Sequence, residues 1–119
     1  RRPAHCTALG KALLASLSDR QARSLLPPVL ARLTPRTVTD VDAVIGSLQQ
    51  VRRDGFARDA EEVSPGLHCF GAYVGVTRSG RRIAVSTSTS AQADATRSRA
   101  LASAITQLAR QIAVEVARS

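Results

Sequence analysis

No run of apolar residues in this sequence approaches the roughly 18 that a membrane span requires, and no secretory signal is visible. An initiator Met is missing too. The chain opens on Arg1-Arg2-Pro3, so the expectation is a piece of something longer. Cysteine is scarce: Cys6 and Cys69, 63 positions apart, make no disulfide framework and read as reduced thiols of a cytoplasmic protein. Three aromatic residues offer little for bases to stack on, which counts against direct nucleic-acid binding. Lysine is nearly absent, with one Lys against sixteen Arg, and the arginines are scattered from Arg20 to Arg118. The net charge of +8 therefore reflects a coding bias better than a phosphate-binding stripe. Internal repeats and low-complexity tracts are lacking as well. What remains is 119 residues with 44% apolar content, enough for one domain with a real core and too little for two.

The centre of that domain is read at residues 67–88. Leu67–Val76 and Arg82–Ser88 alternate as strands, and Arg78-Ser79-Gly80-Arg81 between them is a turn signal. A hairpin closed there pairs Val76 with Ile83 and Val74 with Val85. Because side chains alternate across a strand, Phe70, Val74, Val76, Ile83, Val85 and Thr87 fall on one face. Cys69, Gly71, Tyr73, Gly75, Ala84, Ser86 and Ser88 fall on the other. The first face is apolar enough to take helices. The second is small and lightly polar, the floor of a pocket.

Thr7 is placed to cap a helix over Ala8–Leu17, with Leu9, Leu13 and Leu17, and Leu14 beside them, as its apolar stripe. Gly10 in its first turn points to a close backbone approach. Ser18 starts a short helix through Leu26, stopped by Pro27-Pro28. A connection comes next, with helical character expected around Val29–Leu33. Thr39 or Asp40 caps the next helix, whose Val41, Val44, Ile45, Leu48 and Val51 are spaced for one buried face. Arg52-Arg53 suit its last turn as a surface, and Gly55 its left-handed stop. Phe56–Asp59 reads as a strand, and Glu61–Gly66 as a solvated loop. After a polar connection at Thr89–Ala93, a long helix runs from near Asp94 to about Ala117, with Leu101, Ile105, Leu108, Ile112 and Val116 inward. The fold class is α+β, an antiparallel sheet flanked by helices. One hairpin and one strand make a small sheet for three substantial helices, so further strands are expected upstream or from a partner chain.

Five blocks in order then carry a family resemblance: His5–Ala12, Leu33–Thr39, Val51–Glu62, Gly66–Cys69 and Val85–Ser88. The chain resembles the C-terminal effector-binding domain of the IclR family of bacterial transcription regulators. The resemblance implies a GAF-like fold truncated at its N-terminal side, with residues 1–119 as the signal-sensing domain. It also implies a separate N-terminal winged helix-turn-helix through which alone promoter DNA is bound, a homodimer or homotetramer, and a small organic acid or aromatic carboxylate as effector. The family's ligand contacts carry over to the N–H groups of Ala8 and Leu9 and to Asp59, Cys69, Ser86 and Ser88. A helix N-terminus with small neighbours is also, on physical grounds, a ready site for a carboxylate. Three departures bear on ligand identity. Thr89-Ser90 stand where Gly-Pro is usual, Ala60-Glu61-Glu62 has lost the first acid of a triplet, and Tyr73 is expected to narrow the pocket.

Other readings compete with this one. His5-Cys6 and His68-Cys69 have the residue types of a zinc tetrahedron, but neighbours on a strand face apart and do not reach one metal. For the same reason His68 cannot serve Cys69 as a base, and an enzyme would need His5 plus an orienting group that the sequence does not supply. A dimerisation scaffold with an empty pocket is the remaining alternative. The expectation is a binding domain with no catalytic residue, metal or cofactor, and no membrane partner.

Overall fold

The computed structural model describes residues 3–118. Thr7, extended at φ −88°, ψ 146°, caps α1 (Ala8–Ala15), and Ser18 caps α2 (Asp19–Leu25) in a reciprocal box with Gln21. Asp40 takes the cap of α3 (Val41–Asp54), which Gly55 ends in the left-handed conformation at φ 83°. Three strands come next, β1 (Ala57–Ala60), β2 (Leu67–Val76) and β3 (Arg82–Ser90), and then α4 (Ala95–Arg118). They make an antiparallel sheet in the order β1-β2-β3.

Alternation along β2 decides what lies above and below. Phe70, Ala72 and Val74 pack on Ala102, Ile105 and Ala109 of α4. Gly71 faces the other way, against the first turn of α1: a Cβ there would lie 2.6 Å from the carbonyl oxygen of Ala8. The two helices therefore sandwich the sheet. Beyond α1, Leu14 joins Ala22, Ile45 and Leu48 in a second apolar cluster that binds α1, α2 and α3 together.

Several expectations are corrected. The hairpin register is not Val76 with Ile83 and Val74 with Val85: Ala72 pairs with Val85 and Gly75 with Ile83, the ladder shifting between Tyr73 and Gly75. The residue inserted at a bulge reverses the facing of the residues beyond it. Val76 is consequently 50% exposed rather than buried, and Gly75 looks toward Val116 of α4 instead of the pocket side. Helix α1 stops at Ala15, and of the expected stripe only Leu14 is buried, beside Ala8, Gly10, Lys11 and Ala12. No helix forms around Val29–Leu33, where Pro27 and Pro28 remove two donors and Leu30 alone of that stretch is buried. On α4, Leu108 is exposed, while Leu101, Ile105, Ile112 and Val116 face the core as expected, with small residues (Ser98, Ala102, Ala109) buried among them. Small side chains let the helix lie close on the strands. Glu62, read as solvated, is buried.

Candidate functional site

The site forms where α1 begins. The Thr7 hydroxyl accepts the N–H of Gly10 at 3.0 Å, and the Thr7 carbonyl accepts that of Lys11 at 2.9 Å. The N–H groups of Ala8 and Leu9 have no acceptor among the described residues. Such unpaired donors, with the helix dipole behind them, favour an anion. Two glycines permit this geometry. Gly71 lets the first turn rest directly on β2, and Gly10 lies so close to the preceding loop that a Cβ would sit 2.5 Å from the Ala4 Cα.

In front of that turn is a hollow of about 450 Å³, walled by Ala8, Leu9, Asp59, Cys69 and Ser86 together with Thr7, Gly10 and Leu13. Five of the six residues singled out in the sequence thus share one cavity. The pairing explains how: Asp59 stands opposite Cys69 on the neighbouring strand, and Ser86 stands opposite Gly71, one pleat along. Ser88 is the exception. It pairs directly with Cys69 and so shares that face, but although no more exposed than Ser86 it lies outside the cavity wall. Tyr73 does not narrow this hollow, contrary to expectation. It lines a separate recess with Ser16 and Arg52, and its hydroxyl accepts from Arg82 at 3.3 Å.

Below the floor is a set of buried polar groups that patterning missed. The Lys11 ammonium donates to the Arg58 carbonyl at 2.9 Å and forms a buried ion pair with Glu62. The Glu62 N–H donates to Asp59 Oδ1 at 2.7 Å, and the hydroxyl of Thr37 donates to the Glu62 carbonyl at 2.6 Å. Asp59, 1% exposed, therefore has one oxygen committed to shaping its own turn while its side chain helps wall the cavity. Cys6 is fully buried beside these groups. Burial, then the Glu62 and Asp59 carboxylates, push its thiol up to about 11 despite the opposing Lys11 charge, so it remains a thiol at neutral pH. A faint signal for Lys11 existed, since the only lysine among sixteen arginines falls on the inner side of α1.

The residues of the competing readings lie apart. His5 is buried, and its Nε2 is 2.8 Å from the Ala31 carbonyl oxygen. His68 is one position from Cys69 on β2 and contacts Arg58 on the α4 side. Among the described residues no three His, Cys, Asp or Glu side chains are grouped to hold a metal ion. Arg52 also proved more than surface: Nε donates to the Ala15 carbonyl at 3.0 Å, one terminal nitrogen to Leu17 O at 2.9 Å and the other to Asp19 at 2.8 Å. It supplies a donor to the last carbonyl of α1, while those of Leu13 and Leu14 accept from the N–H groups of Ser16 and Leu17.

The family model for the C-terminal region of the bacterial transcriptional regulator IclR matches residues 1–114. The chain belongs to the IclR family. The HTH-type transcriptional regulator Rv1719 of Mycobacterium tuberculosis is 49% identical over 71 residues, which cover 59% of this chain and 27% of that protein. The crystal structure of the C-terminal domain of Escherichia coli KdgR aligns with a TM-score of 0.83 at 32% identity, over 98% of this chain and 72% of that one. The PobR inducer-binding domain from Acinetobacter, solved as a double mutant in complex with 3-hydroxybenzoic acid, aligns at 0.78 with 25% identity, over 95% and 66% respectively. The α+β fold is that of IclR C-terminal domains. The relatives are transcription regulators and not enzymes. No helix among the described residues is long and apolar enough to cross a membrane.

Proposed function

We propose that residues 1–119 act as the effector-binding domain of a cytoplasmic IclR-family regulator, taking a small organic acid in the cavity at the start of α1. The effector carboxylate sits on the N–H groups of Ala8 and Leu9. Each such charge-assisted bond contributes roughly 1.5–3 kcal/mol where water is excluded. Asp59 repels a bare anion, so it selects a ligand carrying a hydroxyl or N–H on the side away from the carboxylate. Cys69 and Ser86 contact the body of the ligand, with Ser88 at the rim. That PobR was crystallised with a hydroxylated aromatic acid supports a ligand of this chemical kind. The observation that carries the reading is the convergence of unpaired helix amides, Asp59, Cys69 and Ser86 on one hollow.

Effector binding then shifts the arrangement of subunits in a homodimer or homotetramer, and with it promoter binding by an N-terminal winged helix-turn-helix. This coupling requires different affinities of the effector for the two arrangements. Calorimetry against a panel of hydroxylated and unhydroxylated organic acids tests the site. A saturable ligand is expected, with affinity falling about tenfold in Ser86→Ala and less in Ser88→Ala. Binding indifferent to both changes would dismiss this cavity. Concentration-dependent oligomers that no acid in the panel stabilises would favour a plain dimerisation scaffold.

A further inference from the structure

The opposite face of the sheet carries a second hollow of about 450 Å³, between the β1–β2 pair and the start of α4. It has the size of an ordinary small-molecule site. Phe56, Arg58, His68, Phe70, Ser98 and Arg99 line it, and alanines make up the rest of the wall. Arg58 reaches it because β1 alternates: Asp59 faces α1, while Arg58, opposite Phe70, faces α4. The Arg58 guanidinium lies over the Phe70 ring, 5.6 Å from its centroid, and the Phe56 ring is tilted against Phe70 at 6.2 Å. Its terminal nitrogen is 3.3 Å from His68 Nδ1. A guanidinium only donates, so in this contact Nδ1 is the acceptor. Arg58 is thus held in place with donors to spare. The ion pairs among the described residues use Lys11, Arg23, Arg36, Arg52 and Arg118, which leaves both Arg58 and Arg99 without a carboxylate.

We propose that this cleft binds a small planar carboxylate with a flat apolar body. Two guanidinium groups supply the forked donors that a carboxylate fits, and the phenyl rings and alanines supply apolar walls for the body. A phosphate is a poorer match, because its oxygens need donors on several sides and the flanks here are apolar. The site is independent of the cavity at α1, since the sheet lies between them. The test is a titration of the protein with benzoate, monitored by the NMR signals of the His68 ring. The expected result is a saturable shift of those signals, with affinity weakened about tenfold in Arg58→Gln and Arg99→Gln and unchanged in Ser86→Ala. Arg99 is exposed on α4, so its variant keeps the packing even where that of Arg58 disturbs it. Absence of a His68 shift, an affinity unchanged in Arg99→Gln, or an equal response to inorganic phosphate would each overturn the proposal.

Discussion

The two faces of one three-stranded sheet are built on opposite principles. Against α4 the strands present Phe70, Ala72 and Val74, and the helix answers with Ala102, Ile105 and Ala109, a dry contact between shapes. Against α1 they present glycine, a thiol and hydroxyls, and the support beneath is ionic: Lys11, Glu62 and Asp59, held by hydrogen bonds. The first arrangement is tolerant, because apolar groups of similar volume substitute for one another. The second depends on every partner being present, because a buried charge that loses its counterion costs several kcal/mol. The α4 side is thus held by packing that tolerates exchange, and the α1 side by charges that do not.

Removing Lys11 attacks the difference most directly. Lys11→Met leaves Glu62 buried and unpaired, with an expected loss of about 3–5 kcal/mol in chemical denaturation. The double change Lys11→Met with Glu62→Leu is expected to recover much of that loss. If the single and double variants were equally unstable, the ion pair would not be what the α1 side depends on. Gly71→Ala comes next. The added methyl meets the Ala8 carbonyl and the Leu9 amide at 2.6 and 3.1 Å, and overpacking against backbone costs about 1–3 kcal/mol. Effector affinity should fall along with it as α1 lifts off the sheet. The smallest effect is expected on the other face. Ile105→Val removes one methylene from the α4 contact, and thermal unfolding should show a loss of about 0.5–1.5 kcal/mol with acid binding unchanged. A large effect there on binding would erase the contrast between the faces.

Legibility in the sequence divides along the same line. Period-two alternation assigned Cys69, Gly71 and Ser86 to one face and Phe70 to the other, and that assignment survives even though the register was misplaced. A slip of two residues in the pairing sum leaves every face unchanged, while a one-residue bulge does not. The bulge before Gly75 carries no mark in the alternation, so Val76 was assigned to the core and stands in solvent. The caps of Thr7, Ser18 and Asp40 and the stop at Gly55 were legible because they are local chemistry. Glu62 was not, since two acids in a Pro- and Gly-containing loop look solvated unless the distant Lys11 and Thr37 are known to meet there. Long-range polar pairing has no period, and so leaves no pattern along the chain.

The Arg52 guanidinium grips the far end of α1 while joining it to the start of α2 and to α3. The same short helix is seated at its near end on Gly71. The eight residues of α1 therefore cannot move at Leu9 as a rigid body without straining the three Arg52 bonds that tie the helix to α2 and α3.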